Sequence, residues 1–464
     1  MKLTKLVILA ILLIALLVAC ENLLGGSDNA PGSTSELSSV TGRVQVAVDS
    51  EQTPEGVPNA TVEAWTGNTL LLSGLTDSDG NFVLEGTIPT NAHIVVSIEG
   101  HEIPDPDELG PLYAGAARPV SELVSDGLIF SFTGPFADGM VDNQGISVAW
   151  NVSENGDDTP LSIANIYQLQ VIPESDGDPD VVLVRDIDAS VTGEWNSNGG
   201  FTPISRFEDR TFEGQGFTIS DLVIEARPEA RAGLFEQITN ATVRNVVFSD
   251  VLIDSAEGTA GALAARTGRA IIQNVSVSGN LSSLSDSSLG GLVGEAADDS
   301  VITNTSFSGS VTSTGSTGSD SGIGGLIGVI DGGTVVEDST SNATITASTR
   351  DRVGGLIGWQ RSSRGVDDTY AAILRSTSSG SVDGAAQVGG LIGRSEDLTV
   401  VANSSSTSDV TASTRGGALV GVRVYSDINN ILGEGNSASG ALTVDGEAVS
   451  SEDESYLIGD LEDD

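Results

Sequence analysis

Among the adjacent acidic residues of this sequence, two Asp-Asp pairs within residues 161–449 have the types and spacing for general acid–base chemistry. They are Asp298-Asp299 and Asp367-Asp368, and two neighbouring carboxyl groups can share the roles of acid and base in glycoside hydrolysis. Adjacent residues on a β-strand point to opposite faces, however, and a chain with 65 acidic residues contains such pairs by chance. The sequence therefore predicts no catalytic residue and no enzyme.

An acidic turn near residue 80 has part of the composition of a calcium loop. Asp77, Asp79 and Asn81 alternate with other residues. An EF-hand loop that began at Asp77 would need glycine at its sixth position and a bidentate glutamate at its twelfth. The sequence places Phe82 and Ile88 there, so the pattern instead predicts a tight Asp-Gly turn between two strands.

Two further acidic segments contain residue types that bind metals. His101-Glu102 begins like the zinc-protease motif H-E-x-x-H, but the fifth residue is Asp105, and Pro104 would break the required helix. Residues 174–180 (ESDGDPD) could surround calcium loosely, and a solvated acidic loop is the alternative that we favour. We predict no metal ligands and no cofactor.

The first twenty residues have the features of an export signal. Lys2 and Lys5 precede an apolar run of 13 residues, 6–18, which is too short to span about 30 Å of hydrocarbon as a helix. The run ends in Leu17-Val18-Ala19-Cys20, which resembles the lipobox of bacterial lipoprotein signal peptides. An ordinary secretory signal with a chance cysteine is the alternative.

The lipobox resemblance implies a signal peptide over 1–19 and acylation of Cys20, which would anchor the chain to a membrane by its acyl chains. Glu21, rather than Asp, follows the cysteine, which favours the outer membrane over the inner membrane under the enteric sorting rule. Residues 20–37 are rich in Gly, Ser, Pro and acids, so we expect a flexible tether.

The charge of the chain is strongly negative. The formal net charge is −45, and both lysines, Lys2 and Lys5, lie in the predicted signal, so the mature chain keeps 18 Arg against 65 acids. A nucleic acid is excluded as a partner because phosphate binding needs clustered basic residues. Acidic surfaces without lysine are typical of proteins made for high salt, where ions screen the repulsion between carboxylates. The alternative is an acidic surface protein of a low-salt organism.

Residues 38–100 have the pattern of a small β-sandwich, with β-branched, alternating runs separated by turn residues. The ordered set G-x-V, V-P-x-A-x-V and T-D-x-D-G-x-F resembles the carboxypeptidase-regulatory-like domain, which implies a spacer or presentation module without catalysis. Residues 101–160 form a β-rich connector whose runs at 128–132 and 146–150 either complete the sandwich or begin the next domain. The predicted strands are 40–46, 58–65 and 94–98, and residues 76–82 form a turn into a further strand.

A repeat with a mean period of about 31 residues dominates the rest of the chain. Its marker is a Gly-Gly-Leu-Ile/Val-Gly run with a central leucine, and an Asn or Asp follows 11 or 12 residues later in most copies. Three of these open an Asn-x-Ser/Thr triplet: Asn274, Asn304 and Asn403. The leucines are Leu234, Leu263, Leu292, Leu326, Leu356, Leu391 and Leu419, and the second marker is Asn245, Asn274, Asn304, Asp338 and Asn403.

Short Val/Ile/Thr/Ser runs between glycines predict a β-solenoid. One coil cannot bury its apolar face alone, whereas stacked coils bury a continuous core. The glycines allow a tight corner where coils approach closely. The Asn and Asp residues at matching places predict a side-chain ladder between coils, which explains the repeated triplet better than glycosylation does.

The Gly-Gly-Leu-Ile/Val-Gly repeats resemble the GLUG motif of bacterial surface proteins, including regions beside some IgA peptidases and adhesins. Residues 181–188 and 212–224 are similar to the usual lead-in of that family. The resemblance covers roughly 165–445 and implies a right-handed parallel β-helix of the pectin-lyase-like kind, with about nine coils and a length of about 40–45 Å. We assign the β-helix to 161–449, and the acidic end, 450–464, either caps the last coil or is disordered.

The sequence thus predicts an all-β chain in which a small β-sandwich precedes a right-handed parallel β-helix. The predicted function is that of a lipid-anchored protein at the cell envelope, on the outer membrane and exposed at the surface. Adhesion to a glycan or a surface protein would use one face of the rod or the inserted loop at 362–372. The alternative is a structural envelope or surface-layer component without a specific ligand, and a polysaccharide-active enzyme is a more distant one.

Overall fold

The computed structural model describes most of the chain, and strands account for 62% of it against 4% for helices. It is an all-β protein with a sandwich followed by a β-solenoid. The described residues are 35–47, 53–101, 112–123, 127–133, 137–141, 144–146, 160–172, 174, 179–226, 231–255, 258–316, 320–361, 370–396, 399–425, 431–453 and 455–463.

The sandwich consists of two sheets around a shared core. One sheet has the strand order β2-β1-β5 with β8 also on β1, and the other has the order β4-β3-β6-β7. The strands are β1 (Glu36–Ala47), β2 (Glu55–Gly56), β3 (Thr61–Thr66), β4 (Thr69–Leu75), β5 (Asn81–Pro89), β6 (His93–His101), β7 (Leu112–Pro119) and β8 (Leu128–Thr133), with a short 3₁₀ helix at Val120–Glu122.

Strict alternation places one side of each strand in this core. In β5, Phe82, Leu84 and Ile88 are buried while Val83 points to solvent at 58% exposure. The run at 128–132, which the sequence left open, is β8 and pairs in parallel with β1. It therefore completes the sandwich. A two-stranded hairpin of β9 (Ala137–Val141) and β10 (Gln144–Ile146) follows.

The solenoid begins at Leu161 and makes about eight turns, rather than the nine expected from the repeats. At about 4.8 Å per turn its length is about 38 Å. Its one α-helix among the described residues is α1 (Ile166–Gln170), and a 3₁₀ helix spans Ser190–Glu194. The earlier strands are β11 (Leu161–Ile163), β12 (Val181–Leu183), β13 (Ile187–Asp188), β14 (Phe207–Glu208), β15 (Thr211–Glu213), β16 (Thr218–Ser220), β17 (Val223–Ala226), β18 (Phe235–Thr239), β19 (Thr242–Ser255), β20 (Ala260–Gly261), β21 (Ala264–Gly268), β22 (Ile271–Ser283), β23 (Leu289–Gly290), β24 (Val293–Ala297), β25 (Val301–Thr303), β26 (Ser306–Ser313), β27 (Ile323–Gly324) and β28 (Ile327–Ile330).

The later coils repeat the same pattern with longer excursions between strands. The remaining strands are β29 (Val335–Glu337), β30 (Thr340–Gly354), β31 (Ile357–Gln360), β32 (Ala371–Leu374), β33 (Thr377–Gly389), β34 (Ile392–Ser395), β35 (Thr399–Ala402), β36 (Ser405–Ser406), β37 (Asp409–Ala412), β38 (Gly416–Gly417), β39 (Val420–Tyr425), β40 (Ile431–Leu432), β41 (Ser437–Ala438), β42 (Leu442–Val444), β43 (Glu447–Val449) and β44 (Ile458–Asp463).

Each coil has three faces, which the fourth full coil illustrates. A short strand, β25, forms the first face and ends at a corner residue, Asn304, whose φ is +51°. The longer strand β26 forms the second face, and a Gly-Gly corner in β27 turns the chain into β28 on the third face. Equivalent strands of successive coils pair in parallel.

The core consists of inward columns of Leu, Ile, Val and Phe. All seven leucines predicted from the repeat are completely buried. The main chain also forms a ladder at this position, since Leu326 N–H donates to Leu356 O at 3.0 Å and Leu356 N–H donates to Leu391 O at 3.0 Å. The repeat spacing therefore identified the core correctly.

The first glycine of each Gly-Gly-Leu-Ile/Val-Gly run is required because main chains approach closely there. A Cβ on Gly354 would lie 1.9 Å from Ile357 O and 2.7 Å from Gly393 N, and one on Gly389 would lie 1.9 Å from Ile392 O. Such contacts are shorter than any real Cβ makes. This corner fits only glycine, as the sequence predicted.

The acidic end forms one further coil that the repeat search missed. Leu419 N–H donates to Leu457 O at 3.2 Å, and β44 pairs in parallel with β39. Tyr456 occupies the place of a corner glycine, and its hydroxyl donates to Gly440 O at 2.6 Å. Of the two readings for 450–464, the described residues support a cap on the preceding coil.

The sandwich packs against the first coils of the solenoid. The Arg185 guanidinium lies 3.8 Å from the centre of the Trp65 ring. Asn68 donates to the Asp186 carboxylate at 2.7 Å and accepts from the Asp186 N–H at 2.8 Å. Val95, with Ala164 and Val184, forms a small buried cluster between the two parts. The sandwich thus covers the N-terminal end of the solenoid core.

Candidate functional site

The second face of the coils is the most regular surface of the molecule. Its strands alternate between buried and outward positions, and β30 illustrates this: Asn342, Thr344 and Thr346 are exposed between buried Ala343 and Ile345. Over residues 340–347 of β30, parallel pairing without a shift carries this alternation from coil to coil across β26, β30 and β33, and the register of β30 and β33 shifts only after Ala347. The outward side chains therefore stand in straight columns along the rod.

We call this surface the hydroxyl face, because seventeen of its twenty-four outward positions are Ser or Thr. Neighbours lie about 4.8 Å apart along the rod and about 7 Å apart along a strand. The four columns are Val247, Ser276, Ser306, Thr340, Thr377, Ser405 and Ser437; Ser278, Ser308, Asn342 and Ser379; Leu252, Asn280, Ser310, Thr344, Ser381 and Asp409; and Asp254, Ser282, Thr312, Thr346, Asp383, Thr411 and Thr443.

Some of these side chains bond to one another along the rod. Ser310 Oγ donates to Asn280 Oδ1 at 2.6 Å, and Ser282 Oγ donates to an Asp254 carboxylate oxygen at 3.0 Å. These columns contain no arginine and no aromatic residue. The surface consequently offers closely spaced, uncharged donors and acceptors on a flat support.

Three carboxylates interrupt the hydroxyl columns. They belong to Asp254, Asp383 and Asp409. Partial burial between neighbouring strands raises the pKa of Asp383 above its ordinary value. The acids of the face are thus confined to three of its twenty-four outward positions, and the other outward side chains are uncharged.

The predicted side-chain ladder exists at the corner between the first face and the hydroxyl face. Asn274 Nδ2 donates to Asn245 Oδ1 at 2.8 Å, and Asn304 Nδ2 donates to Asn274 Oδ1. All three residues have a positive φ, between +51° and +56°. Asn is favoured there because its short polar side chain tolerates left-handed backbone.

The ladder ends earlier than the sequence predicted. Asp338 forms an ion pair with Arg375 at 2.8 Å instead of bonding to an amide, and Glu337 pairs with the same guanidinium. These hydrogen bonds raise the pKa of Arg375 above its usual value. Asn403 makes no side-chain hydrogen bond to another described residue, because the neighbouring corner position is Arg375 and not an amide. The prediction for Asp338 and Asn403 was therefore wrong.

A second ladder lies just inside that corner, and the sequence analysis missed it. Thr305 Oγ1 donates to Ser339 Oγ at 3.1 Å, the Ser339 N–H donates to Ser376 Oγ at 3.2 Å, and the Ser376 N–H donates to Ser404 Oγ at 3.1 Å. All four residues are buried. A Ser or Thr directly after each corner residue was the available signal.

Arg350 is the other buried polar residue that the sequence did not indicate. Its guanidinium donates to Asp286 O at 3.1 Å, to Ser287 O at 2.9 Å and to Ser321 Oγ at 2.8 Å. Burial lowers its pKa to about 10. The residue holds two excursions of earlier coils against β30 and so supports one edge of the hydroxyl face.

The structure does not bring together the acid pairs that the sequence offered as candidate catalytic residues. Asp298-Asp299 lies in an exposed turn between β24 and β25, with φ values of +53° and +63°, and not on a strand as the sequence reasoning assumed. Asp367-Asp368, most of the loop at 362–372 and Cys20 lie outside the described residues. No catalytic geometry can therefore be assigned to either acid pair.

The three candidate metal segments behave as structural turns where they are described. Asp77 accepts the N–H groups of Asp79 at 2.9 Å and Asn81 at 2.8 Å, which lowers the pKa of Asp77. Glu174 and Asp180 likewise accept main-chain N–H groups at 2.9 and 2.6 Å. Glu102 lies outside the described residues. Within the described ranges, no group of three or more His, Cys, Asp or Glu side chains is placed to hold a metal ion.

Among the helices of the described residues, none is long and apolar enough to cross a membrane.

The family model of the GLUG motif matches residues 285–312 and 384–411. Each match includes a Gly-Gly corner and the following strands of the hydroxyl face, which are β26 in the first match and β36 and most of β37 in the second. Together with the parallel coils, these two motif matches support a β-helix protein with GLUG repeats.

One similar protein is halomucin of Haloquadratum walsbyi, with 36% identity over 166 residues. The match covers 34% of this chain but only 2% of halomucin, so the chain spans a small fraction of that relative.

Two solved structures have partial similarity. One is a candidate immunoglobulin A1 protease from Bacteroides ovatus, with 18% identity, a TM-score of 0.37, and coverage of 66% of this chain and 84% of that chain. The other is named IgA1 Protease, with 16% identity, a TM-score of 0.41, and coverage of 86% of this chain and 30% of that chain.

Proposed function

We propose that the chain is an exported, lipid-anchored protein of the cell envelope. It displays its β-solenoid at the cell surface and binds polysaccharides through the hydroxyl face. The lipobox-like segment ending at Cys20 supports the anchor, and the GLUG repeats and the partial match to halomucin support a surface role. The proposal assigns no catalytic step to the chain.

The observation that carries the binding proposal is the alignment of the hydroxyl columns, whose outward positions keep one register from β22 through β26 and β30 to β33. A polysaccharide presents hydroxyl groups at regular intervals, and Ser and Thr can each donate and accept hydrogen bonds to them. A flat surface of small side chains brings many such groups within reach of one ligand chain at the same time. Recognition would rest on hydrogen bonds, because the columns contain no aromatic side chain for stacking.

The strength of such binding depends on the number of hydrogen bonds between the face and the polysaccharide. One neutral hydrogen bond contributes about 0.5–1.5 kcal/mol in net terms, so a contact across a single coil would be weak. A ligand that follows the columns over several coils adds these terms. Many copies anchored in one membrane would also bind one polysaccharide together and gain avidity. We therefore expect weak binding of monomers and firm binding by cells.

The first test compares hydroxyl removal on two faces of the same coils. The binding variant is T344V/T346V, which keeps β-branched side chains but removes two hydroxyls from the hydroxyl face. The control is T303V on the first face, where Thr303 pairs with Gln273 in the neighbouring coil. The mature protein is assayed by pull-down and calorimetry against insoluble and soluble neutral and acidic polysaccharides.

The expected result is binding to at least one polysaccharide that falls about tenfold or more in T344V/T346V and is unchanged in T303V. Equal binding by both variants would move the binding surface elsewhere on the rod. Failure to bind any polysaccharide would favour the structural role without a ligand. Release of soluble sugars during the assay would contradict the absence of a catalytic step.

Location has its own test. Intact cells are treated with protease, and the solenoid is detected by antibody before and after the outer membrane is opened. We expect the solenoid to be digested on intact cells, and C20A to release the chain from the detergent-soluble membrane fraction. Protection on intact cells would contradict surface display.

A further inference from the structure

The chain contains eight Asn-x-Ser/Thr triplets, of which seven lie in the described residues. Such a triplet is the acceptor sequence for N-glycosylation, provided that it lies in a surface turn or loop of an exported protein. The structure separates the seven by what their amide nitrogens do. Their asparagines are Asn59, Asn240, Asn274, Asn280, Asn304, Asn342 and Asn403.

Three of these amides are already committed to other coils. Asn274 and Asn304 donate through Nδ2 within the corner ladder. Asn240 donates through Nδ2 to the Asp209 carboxylate of the preceding coil. Nδ2 is the atom that would have to bond to a sugar, and here it faces a neighbouring side chain.

Two more lie in the middle of strands. Asn280 and Asn342 belong to β22 and β30, each flanked by a paired strand on both sides. Each also accepts a hydrogen bond through Oδ1 from a serine of the next coil, Ser310 or Ser379. These triplets are extended and are fixed by the neighbouring strands. They therefore do not form the turn that a glycosylation site needs.

Asn59 is different, because it lies in an exposed turn of the sandwich. Its φ is +59°. The buried hydroxyl of Thr76 fixes the turn, because it donates to Val57 O and accepts a hydrogen bond from the Ala60 N–H. Asn59 makes no side-chain hydrogen bond to another described residue, and Thr61 supplies the hydroxyl two positions later. The amide nitrogen is thus presented to solvent on a fixed support.

Asn403 combines the same features at a corner of the solenoid. It is exposed, with a φ of +52°. On one side Arg375 is turned toward Asp338, and on the other side the next coil passes with Gly435, which has no side chain. Its Nδ2 is therefore left without a partner among the described residues, and Ser405 supplies the hydroxyl.

We propose that Asn59 and Asn403 are N-glycosylation sites. Nδ2 would form a bond to the anomeric carbon of a sugar carried on a polyprenyl phosphate or pyrophosphate, and the bond from that carbon to the phosphate oxygen would break. The lipid phosphate leaves with the electron pair, and the amide loses one proton to the transferase. The inference rests on the proposed export, because the transfer occurs on the outer side of the membrane.

The two positions are compatible with the hydroxyl face. Asn59 belongs to the sandwich, and Asn403 lies at the corner beside the first column and not within it. A glycan on Asn403 would border the hydroxyl face, whereas a glycan on Asn342 would cover it. The pattern of modification therefore also decides whether the face stays open to a ligand.

The test uses the full chain, produced with its leader in two strains of one salt-tolerant host. One strain has an N-oligosaccharyltransferase that recognises Asn-x-Ser/Thr, and the other lacks it. Envelope protein is digested after Glu and Arg, which isolates Asn59 in peptide 56–63 and Asn403 in peptide 397–415. Mass spectrometry gives the occupancy of each site in the wild type and in N59Q, N403Q and the control N274Q.

We expect glycan mass on both peptides in the first strain only. N59Q and N403Q should each remove one glycan, the double variant should remove both, and N274Q should leave the intact mass shift unchanged. Envelope protein with both peptides bare would overturn the inference while leaving the proposed function standing. Equal occupancy at Asn274 and Asn304 would also overturn it. Retention of the chain in the cytoplasm would instead contradict the proposed export and, with it, the inference.

Discussion

The glycine corner and the hydroxyl face belong to the same coils but differ in which side chains their positions tolerate. At the corner, the position of Gly354 is glycine in six successive copies, because a side chain would meet the main chain of its own coil and of the next. On the hydroxyl face, a single column changes from Leu252 to Asn280, Ser310 and Thr344 without a change of register. The corner thus specifies the fold, and the face is free to vary in chemistry.

The largest expected effect is at the corner. In G354A, the new Cβ would lie 1.9 Å from Ile357 O, so the coil has to open. We expect the free energy of unfolding to fall by more than about 4 kcal/mol, or the chain not to fold. The matched change on the face, T344A, should cost less than about 1 kcal/mol. Denaturant unfolding followed by circular dichroism measures both, and similar midpoints would contradict the contrast.

Arg350 gives the next effect, because it supports the face from inside. R350M leaves the carbonyl groups of Asp286 and Ser287 without their donors, so we expect a loss of about 3 kcal/mol or more. R244M removes an exposed ion pair with Glu213 and should cost about 1 kcal/mol or less. Comparable losses in the two variants would mean that the buried guanidinium is not a major support.

The ladder provides a smaller and sharper comparison. Asn274 and Asn403 have nearly the same φ, +53° and +52°, but only Asn274 donates to a neighbouring amide. Both N274A and N403A lose the tolerance of Asn for left-handed backbone, which costs about 1–2 kcal/mol. N274A should lose a further 1–3 kcal/mol or so, because it removes two hydrogen bonds, one to Asn245 and one from Asn304. Equal losses would show that the ladder adds no stability.

The smallest expected effect per side chain is that of salt on thermal stability, and it involves charges on the hydroxyl face as well as elsewhere in the chain. Raising the ionic strength from 0.1 to 1 M shortens the Debye length from about 10 to 3 Å. Because the chain has 20 Lys and Arg against 65 acids, the thermal midpoint should rise with salt. D254N/D409N should leave that slope almost unchanged, since the hydroxyl face holds few of the acids. A midpoint that falls with salt would exclude the high-salt interpretation.

The sequence predicted those features that repeat at a fixed place. The columns of Leu326 and Leu356 and the corner glycines followed from spacing, since each copy confirms the others. The coil of Leu457 was missed because Tyr456 replaces the glycine and the spacing from Leu419 grows to 38 residues. The role of Arg350 could not be read from spacing, because its partners lie 29 to 65 residues away and occur in one copy only.

The candidate face was foreseen only in general terms. Ser/Thr-rich strands indicated a polar ladder, but which residues point outward depends on the register shift between Phe248 and Val251, where the pairing of β19 and β22 is irregular. Alternation alone cannot place such a shift. The fate of each Asn-x-Ser/Thr triplet also depended on neighbours in other coils, as Arg375 beside Asn403 illustrates.

Because the solenoid is a stack of equivalent coils, its length can change only by the height of whole coils. Adding or deleting one repeat, from one corner glycine to the next, would lengthen or shorten the rod by about 4.8 Å. The same step would add or remove one row of about four outward positions and leave the packing of every other coil unaltered. The length of the rod and the number of its outward hydroxyl groups are therefore coupled, and duplication of a single repeat can adjust both together.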